Sequence, residues 1–217
     1  MAMKKTGSEP IEARPAPGLG RLVPVQQRSR ERFERILASA AELMAEKGSE
    51  AFRMTDVVER SGIAFGSLYQ YFPDKTAIIG TLFERYNQIG RDCVARNLSG
   101  MTVAEELHHV LAGITDGYYQ MFLDNPVMRD IWTATQADRA LQQADAEEGA
   151  YLAGLLSDTV KRIAPGTPRA ALSDFSQLTM TLIAAAVRHA ITLEPREAKR
   201  VLALFKRLLP RDLSALI

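Results

Sequence analysis

A single cysteine, Cys93, among 217 residues excludes an intrachain disulfide and leaves no cysteine cluster to hold zinc. Histidine is nearly as scarce. His108 and His109 are neighbours and so face different sides of any helix, while His189 is isolated, and no metal pair has the spacing it needs. An excess of charge is missing too, since 27 basic and 26 acidic side chains leave a formal net charge of +1. That gives no support for wholesale basic wrapping of a nucleic acid, although phosphate contacts depend on where the cations sit. No uninterrupted apolar run is long enough to span a bilayer. The first 26 residues are broken by Pro10, Pro15, Pro17, Gly18, Gly20 and Pro24, so they hold no apolar core of a signal peptide. There is no Walker-type loop, no dinucleotide glycine signature and no His-Glu-x-x-His, and Cys93 has no base beside it in the sequence. The expectation is a cytoplasmic protein that is not an enzyme, with no metal, cofactor or membrane partner.

What is present reads as helix. An apolar fraction of 47% and a charged fraction of 24% are those of a folded globular chain. Residues 1–26, with Lys4, Lys5, Arg14 and Arg21 among proline and glycine, read as a flexible basic arm. Phe33, Ile36, Leu37, Ala40 and Met44 then recur at helical spacing until Gly48. Arg53 to Ser61 and Phe65 to Phe72 make two shorter helices, and Pro73 with Asp74 opens a fourth carrying Ile78, Ile79, Leu82, Phe83 and Tyr86. Further on, Thr102 and Glu105 have the spacing of a capping box. The breaks at Asp124-Asn125-Pro126 and at 164–168, together with apolar periodicity, divide the rest into five helices, the last two being Arg169 to Leu193 and Pro195 to Leu209. No stretch alternates with the period of a strand. The predicted fold is all-α: a three-helix head over 27–75, then a connecting helix and a five-helix body over 76–217.

Within the head, "GIA" at 62–64 separates two short helices at helix-turn-helix spacing. Val57, Val58, Ile63 and Leu68 supply a buried side, while Thr55, Phe65, Gly66, Ser67 and Gln70 face outward. By spacing alone an ordinary helix-to-helix turn is as good a reading. Gly66 argues against it, because glycine costs a helix about 0.8–1 kcal/mol relative to alanine and is useful where something approaches the backbone. Tyr69, Tyr71 and Lys75 flank the open face with two phenols and an ammonium, groups that reach phosphate oxygens.

"VVERSGIAFGSLYQYFPDKTAII", residues 57–79, resembles the DNA-binding core of the tetracycline-repressor (TetR) family, with Val57, Gly62, Ile63, Gly66, Leu68, Tyr69, Tyr71, Phe72 and Lys75 on its pattern. The resemblance is close over about residues 30–85. It implies a homodimeric transcriptional regulator, most simply a repressor released from an inverted-repeat operator in double-stranded DNA by a small organic effector. On that likeness Thr55, Phe65, Gly66, Ser67 and Gln70 face base edges, and Tyr69, Tyr71 and Lys75 anchor phosphates, with Arg53 also near a phosphate. Arg53 and Ala64 depart from the pattern, standing where a threonine and a serine often cap the two helices. Phe65 suits a thymine methyl and Gln70 an adenine, and no arginine in this segment is placed to read guanine. Arg28, Arg30, Arg32 and Arg35 read equally well as backbone contacts or as a solvated helix face. A helical adaptor without DNA is the competing interpretation.

In the body, Arg169 to Leu193 is apolar on more than one side, and one chain's core covers one side. Leu178, Leu182 and Ala186, with Val201 and Phe205 of the last helix, are therefore candidates for a four-helix dimer contact. Phe83, His109, Tyr118, Phe122, Met128, Trp132, Phe175 and Thr179 are candidates for an effector pocket, since aromatic and methionine side chains line apolar cavities well. The same residues fill ordinary cores.

Overall fold

The computed structural model describes residues 27–213, and the expected basic arm over 1–26 lies outside them. Helix α1, Gln27–Ala51, buries Phe33, Ile36, Leu37, Ala40, Leu43 and Met44 along one face and kinks at Gly48, whose φ of 82° lies in the left-handed region that favours glycine. Helix α2, Met54–Ser61, begins one residue later than the sequence suggests. Arg53 is its N-cap and has no side-chain acceptor to offer, and the Asp56 carboxylate instead accepts from the Arg53 N–H at 3.1 Å. Gly62, at φ 65°, closes α2 by donating its N–H to the Val58 carbonyl. Ile63 buries itself in the turn, and α3, Phe65–Tyr71, follows with no side-chain cap at Ala64.

Asp74 caps α4, Lys75–Ser99, by accepting from the Ala77 N–H at 2.8 Å. The expected box between Thr102 and Glu105 is displaced by one residue. It is Glu106 whose carboxylate accepts from the Thr102 and Val103 backbone N–H groups, and these backbone hydrogen bonds hold its carboxyl below the usual carboxylate range. A 3₁₀ turn over Ala104–Glu106 separates these residues from α5, Leu107–Asp124. Pro126 starts α6, Val127–Ala137, and Asp138 caps α7, Arg139–Ile163, through the Ala140 and Leu141 N–H groups. Helix α8, Arg169–Ala190, ends three residues earlier than expected, and α9, Pro195–Leu208, has proline in its first turn. No strand occurs among the described residues.

The core does not stop at the boundary between head and body. Phe33 stacks on Phe72 with ring centroids 5.0 Å apart, and the cluster they belong to runs through Leu68 and Ile78 to Val127 and Ile131 of α6 and Leu141 of α7. A second cluster joins the end of α4 to α5, α7 and α8, and a third gathers Met121, Phe122, Met128, Val187 and Leu202. Helix α6 thus packs on the head with one side while its other side faces the body.

Candidate nucleic-acid interface and ligand cavity

The exposed side of α3 carries chemistry that its packing does not use. Phe65 is 51% exposed and lies with its ring centroid 4.9 Å from that of Tyr69, which is exposed as well. Thr55 and Gln70 are exposed and Ser67 half-buried, while a Cβ on Gly66 would meet open space. A shallow cleft beside this face is lined by Arg28, Arg32, Arg35, Gly62, Ala64 and Ser67, with Glu31 the acid among them. None of the three arginines forms an ion pair among the described residues. Three cations on other faces of the head are paired: Arg60 with Glu46 at 2.6 Å, Lys47 with Asp56 at 3.2 Å, Arg85 with Glu34 at 2.8 Å.

Two expected phosphate anchors are placed otherwise. Tyr71 is buried, its ring edge-on to Phe33 and its hydroxyl 2.7 Å from Ser29 Oγ, so its first role is in the head's core. Lys75 donates to the Ser49 and Glu50 carbonyls at 3.1 and 3.0 Å and lies over the Phe52 ring, which leaves one of its three donors. Arg53 is exposed and Tyr69 keeps an open hydroxyl face.

Between α4, α5, α6, α7 and α8 lies a cavity of about 360 Å³. Of the expected pocket residues, Phe83, Tyr118, Phe122, Met128 and Trp132 line it. His109 is exposed on α5, Phe175 packs toward the second core cluster, and Thr179 is buried outside the lining, so these three are corrected. The polar lining includes Asn87, Asp145, Glu148 and Arg188, which sequence reasoning did not select. Arg188 donates to Asp145 at 2.8 Å and holds its guanidinium over the Trp132 ring at 5.6 Å. Arg91 joins two acids, Glu84 on its own helix at 2.9 Å and Glu148 on α7. Burial pushes the Glu148 carboxyl up, against the pull of Arg91. It also pushes up the Tyr118 phenol and the thiol of Cys93, which lines the cavity as well.

Comparison with known families places this arrangement. Residues 105–217 match "Tetracyclin repressor-like, C-terminal domain", and residues 36–82 match "Bacterial regulatory proteins, tetR family". The chain belongs to the TetR family. The HTH-type transcriptional repressor KstR of Rhodococcus jostii is 31% identical over 122 residues, 56% of this chain and 52% of that protein. The chain thus spans about half the length of the curated relatives it matches. Among solved structures, a TetR-family regulator from Streptomyces coelicolor aligns with a TM-score of 0.63 at 20% identity, covering 86% of this chain and 99% of the other. FadR from Bacillus subtilis in complex with stearoyl-CoA aligns at 0.61 and 16%, covering 82% and 100%. At these identities the likeness is one of fold.

The TetR-type body leaves an apolar surface uncovered on its last two helices. Leu178 and Leu182 on α8 are 60% and 48% exposed, and Leu204 and Leu208 on α9 are 51% and 75% exposed. Ala186 is half-buried between these faces. Val201 and Phe205, expected at a dimer contact, are half-buried, and Phe205 also packs against the chain's own core. The exposed Leu204 and Leu208 continue the helix face on which Val201 stands. Among the described residues α8 is also the helix long and apolar enough, by length and composition, to cross a membrane. Its apolar residues divide between the body's core and this uncovered stripe.

Proposed function

We propose that the chain works in the cytoplasm as a homodimeric, sequence-specific DNA-binding repressor that an organic effector in the α4–α8 cavity releases from its operator. The observation that carries this is the pattern of charge on the head. Arg28, Arg32 and Arg35, without ion-pair partners among the described residues, border the face that carries exposed Phe65 and Gln70 and half-buried Ser67, whereas Lys47, Arg60 and Arg85 on other faces are paired with acids. Unpaired guanidiniums around an exposed helix suit phosphates beside a major groove. Tyr69, Lys75's remaining donor and Arg53 add to the backbone contacts, and Thr55, Phe65, Gly66, Ser67 and Gln70 meet base edges.

The coupling runs through two helices. Met128, Ile131 and Trp132 of α6 line the cavity, while Val127 and Ile131 pack in the cluster that holds the head. Helix α4 lines the cavity at Phe83, Asn87 and Gly90 and begins at Lys75, beside the end of α3. A ligand that prefers one setting of α6 and α4 therefore biases the separation of two heads.

Selection of a site from random duplex DNA tests the reading, followed by titration at several salt concentrations. An inverted repeat is expected, with Arg32→Ala lowering the salt slope by roughly 1 and Gln70→Ala costing about 1–3 kcal/mol on the selected site alone. Folded dimer that selects no duplex at low salt would leave a helical interaction protein in its place.

A further inference from the structure

Three residues that line the cavity each carry a buried donor with no partner among the described residues: Asn87 Nδ2 on α4, Trp132 Nε1 on α6 and Arg188 Nε on α8. Among the described residues the other such atom, Ser176 Oγ, belongs to a residue outside the lining. The polar demand inside the cavity is thus for acceptors. Its charged groups, by contrast, already sit in ion pairs. Asp145 of the lining holds Arg188, and Glu148 of the lining is held by Arg91, which lies outside the lining and also binds Glu84.

We propose that the effector is an uncharged, mainly apolar molecule bearing at least one carbonyl oxygen, held by these donors; this rests on the cavity being the effector site. A ligand carboxylate would meet the two lining carboxylates, Asp145 and Glu148, and no unpaired cation. A ligand ammonium would offer the three unpartnered donors no acceptor and would have to compete with Arg188 and Arg91 for carboxylates that are already paired. An unsatisfied buried donor is costly, and a ligand that reaches these groups gains by offering them an acceptor. A carbonyl oxygen, with two lone pairs, does so without carrying a charge into apolar walls.

The test uses 2-undecanone, undecanoate and undecylammonium, and the ketone, carboxylate and ammonium of a decalin frame, with the full-length protein. Trp132 is the chain's sole tryptophan, so its emission reports on the cavity directly, and calorimetry gives the affinities. A ketone is expected to shift the emission and to bind about ten-fold more tightly than the charged members of its series. Asn87→Leu and Trp132→Phe, which keep apolar bulk, are each expected to weaken ketone binding roughly three- to ten-fold, and one folded variant suffices. Tighter binding of a charged member, ketone binding unchanged in the folded variants, or no binding by any of the compounds overturns the proposal. Release of the selected duplex is measured in parallel. Ketone bound without release would sink the regulatory reading and leave the ligand class standing, whereas release by a charged member alone would do the reverse.

Discussion

Lys75 sits where the end of α1 meets the start of α4. Gly48 has turned the chain there, and the Ser49 and Glu50 carbonyls that the turn exposes are taken by the Lys75 ammonium, above the Phe52 ring. Lys75→Met keeps the stem and removes the charge and its donors. The expected result is a loss of about 1–2 kcal/mol of stability, read as a lower melting temperature, with the salt slope of DNA binding falling by less than one ion. A slope lower by a full unit at unchanged melting temperature would show instead that the ammonium serves a phosphate. The recognition-helix residues were legible in the sequence because Gly62, Gly66, Leu68 and Tyr69 do their work within a few positions of one another. Lys75's partners lie 25 and 26 residues upstream, and Tyr71's lies 42 upstream, distances over which sequence spacing says nothing about contact. Arg188 and Arg91 escaped notice for the same reason, since Asp145 and Glu148 are 43 and 57 residues away.

Helices α4 and α7 are joined by that last contact. Arg91 reaches from α4 to Glu148 while also holding Glu84, and both acids are buried. Because burial holds the Glu148 carboxyl above its ordinary value in the folded chain, the folded state binds its proton more readily than the unfolded one. The associated stability is full below the unfolded pKa and is lost as pH rises through the folded pKa. Glu148→Gln removes this titration and keeps an acceptor for Arg91. The melting temperature of the variant, relative to the parent, is therefore expected to rise as pH is raised from the ordinary carboxylate range toward neutrality; a parallel pair of curves would refute the assignment. Helices themselves were readable from turn chemistry and apolar period, with errors of one to three residues at α2, α8 and the Glu106 cap. Their rotation about their own axes was not. His109 and Phe175 carry the right chemistry on the wrong side of the cavity wall, because the phase of a helix against its neighbours is decided by packing that the sequence of one helix does not specify.

In the whole molecule the uncovered leucines of α8 and α9 would decide how many heads act together. Four large side chains, Leu178, Leu182, Leu204 and Leu208, form an exposed apolar surface that a second copy can bury symmetrically. Two-fold symmetry would then bring two copies of α3 to successive major grooves, about 34–36 Å apart. Leu182→Arg tests this with little cost to the single chain, since Leu182 is about half exposed and belongs to none of the core clusters. In the dimer its charge would be buried against apolar surface without a partner. Sedimentation at micromolar concentration is expected to show a dimer for the parent and a monomer for the variant, with unchanged helical circular dichroism. The separated heads should also lose the gain from binding as a linked pair, so that the variant treats an inverted repeat and a single half-site almost alike. A variant that stays dimeric would move the interface off α8. A monomeric variant that still discriminates the full repeat would instead detach operator recognition from the paired geometry, and the two heads would have to be brought together by the DNA itself.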